Sequence, residues 1–204
     1  MPPIVLALAL LLAGQACAAD WSAWERSYDS ATGRRFIPVE LFTGTEWDGQ
    51  RIIRMAPAKL EFGQRGQKSL SGPMDWVPPG ASAPIQVYER MNRDKRQLFA
   101  LREDQTGLGR VLDSRYARYD CVGEIKFPLG FWKQGEVRDY QVACRGGKEL
   151  RPLKVTIENI DFSYGGVPHS LRFHWLYMEG RGRATDMRYT YSPLHGLVHV
   201  EGNE

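Results

Sequence analysis

The chain has 204 residues, of which 43% are hydrophobic and 25% are charged, and its formal net charge is +3. A chain of this length falls within the size of one domain and can bury a core large enough to fold without a structural metal ion. So small a charge excess excludes any argument for nucleic acid, or for another partner, from charge alone.

The first residues are typical of an export signal. Ile4–Ala13 is an unbroken apolar run, shorter than the roughly 20 residues that a helix needs to cross a bilayer. Ala16-x-Ala18 has the small-x-small form of a signal-peptidase site, although no Lys or Arg precedes the apolar run. We therefore expect residues 1–19 to be a cleaved signal peptide and residues 20–204 to be a single domain, periplasmic or secreted, with no transmembrane segment after cleavage. Acylation of Cys17 is the alternative to simple cleavage.

Cysteine usage points to the same compartment. Once the signal is removed, Cys121 and Cys144 are the two cysteines that remain. Two cysteines in an exported protein predict one disulfide, and their spacing is unlike the Cys-x-x-Cys of redox proteins. We therefore predict a structural bridge between Cys121 and Cys144, joining neighbouring strands or sheets.

The mature sequence begins with an aromatic segment and continues with short alternating runs. The spacing of Trp21, Trp24 and Tyr28 predicts a short helix or an irregular arm. From Phe36–Thr43 onward, apolar and polar residues alternate in one short run after another, which is typical of β-strands with one buried face. The sequence therefore predicts an all-β fold, an antiparallel β-sandwich or β-barrel of about ten short strands. Runs at 51–56 and 60–62 are among the expected strands.

A long hairpin over Leu153–Met178 is predicted to be the centre of the fold. Two alternating runs flank Tyr164–Pro168, where glycines supply the backbone conformations that a tight turn requires. The apolar period slips by one residue within the first run. Because such a slip turns every later side chain to the other face, we predict a β-bulge near Glu158–Asn159.

Three segments lack alternation and are expected to be loops or turns. Ser69–Pro84 is rich in proline and has no apolar period. Arg90–Arg96 is expected to be a charged, solvated turn. Pro128–Gly135 is expected to be a loop with Phe131 and Trp132 at its tip.

Metal and cofactor sites are not indicated by the sequence. The histidines form two pairs, His169 with His174 and His195 with His199, and neither pair has a third ligand at the spacing of a zinc site. The sequence contains no P-loop, no dinucleotide fingerprint and no nucleophile elbow. We therefore expect ordinary surface or hairpin histidines, no metal ion and no cofactor.

Basic residues cluster at Arg90–Arg96 and at Arg181, Arg183 and Arg188. An aspartate interrupts each cluster, and an exported protein does not meet cytosolic nucleic acid. Solvated turns are the expected interpretation of both clusters, with no nucleic-acid partner.

Four aromatic residues in expected loops are the candidate ligand-binding residues: Trp47, Trp76, Phe131 and Trp132. Exposed aromatic side chains at loop tips often form a binding rim, and the alternative is that they pack under neighbouring loops. Trp47 lies between Glu46 and Asp48, and Trp76 follows Asp75. An acid beside a tryptophan is also what the cleft of a glycoside hydrolase uses.

Turn motifs in the last part of the chain carry a resemblance. Phe127-Pro128-Leu129-Gly130-x-Trp132-x-x-Gly135 and Tyr191-Ser192-Pro193-x-x-Gly196-Leu197-Val198-x-Val200-Glu201 resemble the opening loop and the closing strand in the C-terminal half of secreted proteobacterial β-domains of unknown function. The resemblance implies an antiparallel periplasmic β-fold and no catalytic residue. In class, though in no motif, the chain is also similar to outer-membrane lipoprotein carriers, whose curved sheet holds acyl chains.

Together these observations predict an exported, non-enzymatic protein of the cell envelope. We expect it to bind a hydrophobic small molecule or an envelope component, or to support the envelope as an accessory protein. The alternative is a carbohydrate-active hydrolase that uses the tryptophan- and acid-lined loops.

Overall fold

The computed structural model describes residues 22–43, 70–92, 95–114, 121–144, 149–180, 182–193 and 196–203. The signal peptide and the strands expected at 51–56 and 60–62 lie outside these residues. The described elements are α1 (Ser22–Arg26), β1 (Tyr28–Asp29), β2 (Arg34–Ile37), α2 (Glu40–Thr43), β3 (Ser71–Trp76), β4 (Ile85–Asn92), β5 (Lys95–Leu101), β6 (Gly107–Asp113), β7 (Cys121–Val122), β8 (Phe127–Pro128), β9 (Gly130–Trp132), β10 (Val137–Cys144), β11 (Arg151–Tyr164), β12 (Val167–Gly180), β13 (Arg183–Ser192) and β14 (Gly196–Asn203).

The strands form three antiparallel sheets. The small sheet has the order β1-β2-β9, the five-stranded sheet β3-β4-β5-β6-β8, and the six-stranded sheet β14-β13-β12-β11-β10-β7. Each order is open-ended among the described strands, so the predicted all-β fold is confirmed in its sandwich-like form. No helix in the described ranges is long and apolar enough to cross a membrane.

The predicted central hairpin is confirmed as β11 and β12, each 14 residues long. Gly165 and Gly166 form the turn with φ values of 55° and 86°. Residues with a Cβ atom rarely adopt this left-handed backbone conformation. The strand pairing shifts between Ile157 and Asn159, so the predicted bulge is confirmed. Two further shifts near the turn, one of them at Asp161, were not predicted.

The predicted disulfide is also present. Cys121 of β7 and Cys144 of β10 are directly paired residues of neighbouring strands, and their Sγ atoms are bonded. The bridge therefore closes the edge of the six-stranded sheet, where β7 also lies beside β6 of the five-stranded sheet.

The core between the sheets is filled largely by aromatic rings. Phe42 of α2 lies 4.8 Å from Tyr191 and 5.1 Å from Phe127, measured between ring centroids. Phe127 in turn lies 5.0 Å from Phe99 of the five-stranded sheet. Aromatic pairs at these distances and tilts are in contact, so side chains from both large sheets and from α2 occupy the centre of the sandwich.

The strand expected over Phe36–Thr43 is shorter than predicted. β2 ends at Ile37, and Pro38 follows it without the N–H that a ladder requires. The chain then makes the helical turn α2, in which Leu41 and Phe42 are both buried. Two consecutive buried residues are incompatible with a half-buried strand, and this breaks the alternation that favoured one.

The loop expected over Ser69–Pro84 contains a strand. β3 pairs with β4 at the outer end of the five-stranded sheet, and the pairing skips between Ser71 and Met74, around Pro73. Edge strands tolerate proline because one side of the backbone needs no partner. Only Met74 and Trp76 of β3 are half-buried and none of its residues is fully buried, so too few apolar positions exist for a period to show in the sequence.

The solvated turn expected over Arg90–Arg96 is wrong at both ends, because β5 already begins at Lys95 and only residues 93 and 94, outside the described residues, lie between the two strands. β4 continues to Asn92, and Arg90 is only 2% exposed. Its guanidinium Nε and Nη2 both donate to Gln97 Oε1, at 3.1 and 2.8 Å. Arg90 is therefore buried against Gln97 on the neighbouring strand. The sequence pattern does not reveal this pairing.

Candidate functional site

Of the four predicted ligand-binding aromatics, Trp76, Phe131 and Trp132 lie in the described part of the chain, and these three do not share one exposed rim. Trp47 lies outside the described residues, and Trp76 is half-buried at the end of β3. Phe131 and Trp132 belong to β9 rather than to the tip of a loop, so they point to opposite sides of the small sheet. Phe131 is 49% exposed and Trp132 is 0% exposed.

Trp132 is a core residue. Its indole Nε1 donates to the carbonyl oxygen of Leu129 at 2.9 Å, and the Arg138 guanidinium lies 3.6 Å above its ring. For this residue the structure shows the alternative interpretation, packing beneath neighbouring groups.

Phe131 has an exposed aromatic partner that sequence analysis did not select. Phe36 of β2 is paired directly with Phe131, and the ring centroids are 5.2 Å apart at an interplanar angle of 64°. Phe36 is 42% exposed and Phe131 is 49% exposed. We call these two residues the aromatic patch. The sequence does carry a signal that Phe36 is exposed. Successive side chains of a strand point to opposite faces, so a strand that buries Ile37 must turn Phe36 outward.

Charged side chains surround the aromatic patch. Arg34, two residues before Phe36 on the same face of β2, is 41% exposed and lies 3.6 Å from the Glu136 carboxylate. Arg138 Nε donates to Glu136 at 2.9 Å, and the Lys133 backbone N–H donates to it at 3.1 Å. Burial alone would raise the pKa of Glu136, but these hydrogen bonds and the two arginine charges lower it overall.

On the face of β2 opposite the aromatic patch, a carboxylate of the central hairpin binds an arginine of β2. Asp161, at a bulge of β11, accepts hydrogen bonds from Arg35 Nη2 at 2.5 Å, from Trp24 Nε1 at 3.2 Å and from His169 Nδ1 at 2.7 Å. Asp161 and His169 have φ values of 61° and 54°, which non-glycine residues seldom adopt. The cluster ties α1 and the small sheet to the central hairpin, and it thereby positions the patch.

The pKa of Asp161 reflects this environment. Burial by itself would raise it, but the hydrogen bond from His169, the Arg35 charge and the Trp24 hydrogen bond lower it overall. His169 was expected to be an ordinary hairpin histidine. The structure instead gives it a defined carboxylate partner through backbone bulges that the sequence pattern does not show.

A second charged cluster covers the outer face of the six-stranded sheet. The Glu158 carboxylate lies 3.0 Å from Arg172 Nε and 2.9 Å from Arg188 Nε, and Asp186 lies 2.8 Å from His174 Nε2. Arg172 also donates to Glu201. Arg188 was expected in a solvated turn and instead lies within β13, but it is one-third exposed and paired. These charges satisfy one another, so the cluster offers no site.

Within the described part of the chain, no group of three or more histidine, cysteine or carboxylate side chains is placed to hold a metal ion. His195, Glu46 and Asp48 lie outside that part, and Asp75 is exposed on β3. The hydrolase interpretation therefore stays a prediction. Comparison with known proteins adds nothing to this, because no family model, no curated protein and no solved structure matches the chain.

Proposed function

We propose that this chain is an exported, non-enzymatic β-protein of the cell envelope, and that it binds an envelope component through the aromatic patch. The observation that carries the proposal is the exposed, directly paired Phe36 and Phe131. Contiguous exposed aromatic side chains lower solubility, and they commonly mark binding surfaces.

The disulfide supports the export part of the proposal. A bonded Cys121–Cys144 pair is typical of proteins that fold in an oxidising compartment such as the periplasm. The apolar run and the Ala16-x-Ala18 sequence at the amino terminus agree with this destination.

The packing of the core favours a surface partner over an apolar molecule held between the sheets. Phe42, Phe127 and Tyr191 contact one another in the centre of the sandwich. A hydrophobic ligand at that position would have to displace these rings, and each displaced ring loses close-packed contacts. The aromatic patch requires no such displacement.

The test compares wild-type protein with the double variant Phe36→Thr/Phe131→Thr. Threonine keeps the preference for strands while it removes both rings. The matched control is Val77→Thr/Leu101→Thr, which removes two apolar side chains of similar exposure, 55% and 51%, from another part of the molecule. Circular dichroism and melting curves establish that all three proteins fold.

Each protein is incubated with separated envelope lipids, peptidoglycan and outer-membrane polysaccharide. We expect the patch variant to lose affinity for one fraction by roughly 10- to 100-fold while the control variant keeps it. Equal binding of the patch variant and the wild type to every fraction would overturn the proposal. Turnover of a glycan at the same rate by the patch variant would support the hydrolase instead.

A further inference from the structure

The chemistry of the aromatic patch identifies a class of partner. We infer that Phe36 and Phe131 insert into the surface of an anionic lipid bilayer, an inference that rests on the proposed function. Three features lead to it: the kind of aromatic side chain, the state of the neighbouring backbone, and the surrounding charges.

Both aromatic residues are phenylalanines, which have no hydroxyl or N–H to bind a polar ligand. Their rings meet at 64°, so they do not form the flat platform on which a sugar ring stacks. Two apolar rings that project from a rigid sheet instead suit the boundary between lipid headgroups and acyl chains, where amphipathic surfaces bury their apolar face to about 5–10 Å.

One outward-facing backbone group beside the rings, the Phe131 carbonyl, already has a hydrogen-bond partner. β9 is an end strand of the small sheet and pairs with β2 on one side only. Its outward-facing carbonyl groups therefore have no partner strand within that sheet. Arg138 Nη2 donates to the carbonyl oxygen of Phe131 at 2.6 Å. Because an unpaired carbonyl is costly in an apolar environment, this bond makes insertion of the Phe131 ring less unfavourable.

The charges around the patch favour anionic over neutral lipid. Arg34, Lys133 and Arg138 surround it, against the carboxylates of Asp29 and Glu136. Both carboxylates are engaged: Asp29 accepts from the Ala31 N–H at 3.0 Å and from the Thr32 hydroxyl at 2.5 Å. Glu136 is held by Arg138. Three cations and two carboxylates leave a net charge of +1 around the patch. The Lys133 side chain is exposed, and the Arg34 side chain, 3.6 Å from Glu136, is still 41% exposed, so both can reach lipid phosphates.

The expected binding is weak and reversible. Each cation near an anionic surface strengthens binding by about fivefold, and the effect falls with added salt. Ring insertion supplies buried apolar area and the cations supply electrostatic attraction, the two contributions with which binding at a membrane surface scales.

The experiment uses the mature full-length protein with two kinds of vesicle, equal parts phosphatidylglycerol and phosphatidylethanolamine, or phosphatidylcholine alone. We expect co-flotation with the anionic vesicles, at least fivefold weaker binding to the neutral ones, and a loss of roughly tenfold or more in Phe36→Thr/Phe131→Thr. Val77→Thr/Leu101→Thr should bind as wild type. Arg34→Gln/Lys133→Gln should keep weak binding and lose the preference for anionic vesicles.

Wild-type binding by the patch variant, or equal binding of the wild type to both vesicles, would overturn the inference. Failure of the wild type to bind any vesicle, together with patch-dependent binding to an envelope glycan, would overturn the lipid inference and leave the proposed function standing. If the patch variant matches the wild type on every lipid and glycan fraction, both proposals fall.

Discussion

The outer face of the six-stranded sheet carries paired charges that reach solvent, whereas the five-stranded sheet buries several of its charged residues. On the outer face of the former, Glu158, Arg172 and Arg188 remain partly exposed while they pair. In the latter, Gln97 links Arg90 to Asp113, and its Nε2 donates to Asp113 Oδ2 at 2.7 Å. Water can replace a lost partner on the first face and cannot do so inside the second.

The buried chain of hydrogen bonds extends beyond Asp113. Arg110 Nη1 lies 3.4 Å from Asp113 Oδ2, and Arg110 Nη2 donates to Glu124 Oε1 at 2.9 Å. All of these side chains are nearly or completely buried. Charged residues of the same kinds should therefore contribute very differently to the free energy of unfolding in the two sheets. Substitutions can measure that difference.

The largest effect is expected for Asp113→Ala. The change removes an acceptor used by Gln97 and Arg110, and it leaves a buried cation with one carboxylate fewer. We expect the free energy of unfolding to fall by about 3–5 kcal/mol, measured by urea denaturation. A loss below about 1 kcal/mol would mean that the buried chain is no more costly to break than a surface pair.

Removal of the disulfide is expected to rank second. Cys121→Ser opens a loop whose ends are 23 residues apart, and the chain-entropy estimate for such a loop is about 3 kcal/mol. Thermal unfolding should show a midpoint lower by several degrees, with the same loss for Cys144→Ser and no further loss in the double variant. Mass analysis of the unreduced mature protein should find no free thiol, and two free thiols would contradict the bridge.

Asp161→Asn tests the cluster that holds the small sheet against the hairpin. The pKa of Asp161 is lowered in the folded protein, so its stabilising effect is present above the unfolded pKa near 4 and is lost as pH falls through the folded value. We expect a loss of roughly 1–3 kcal/mol at pH 7 and a flatter stability curve below about pH 5. Asp139→Asn is the control, because the Asp139 side chain is 72% exposed and lies 3.8 Å from Lys154 on the protein surface, so its replacement should change little. An unchanged acid profile would contradict the assignment.

The smallest effect is expected for Glu158→Gln on the outer face of the six-stranded sheet. Its partners, Arg172 and Arg188, reach solvent and other carboxylates. We expect a loss of less than about 1 kcal/mol that disappears in 1 M salt. A salt-independent loss as large as that of Asp113→Ala would remove the distinction between the two sheets.

This contrast also explains what the sequence could predict. The central hairpin and its bulge were predictable because the six-stranded sheet separates an apolar face from a wet one, and the cysteine pair was predictable from the cysteine count of an exported chain. Leu153, Val155 and Ile157 are buried there, while Lys154 between them is exposed. Arg90 could not be placed, because a buried arginine and a solvated one have the same sequence signature until the partner across the sheet is known.

The candidate site was predictable only in part. Phe131 was selected as a ligand-binding residue, but its neighbour Trp132 was selected for the same reason and is buried. The two differ only in the phase of a three-residue strand, which is too short to show a period. Phe36 was missed because its importance depends on pairing with Phe131, a contact between positions far apart in the chain.

One backbone hydrogen bond holds the two ends of the segment 44–69 next to each other. The Leu70 N–H donates to the carbonyl oxygen of Phe42 at 2.8 Å, so the chain departs after α2 and comes back to almost the same point. The entropic cost of closing a loop rises only slowly with the length of the loop. A brief glycine-serine bridge is therefore long enough to join Thr43 to Leu70, and a variant built in this way would test binding in the absence of Trp47.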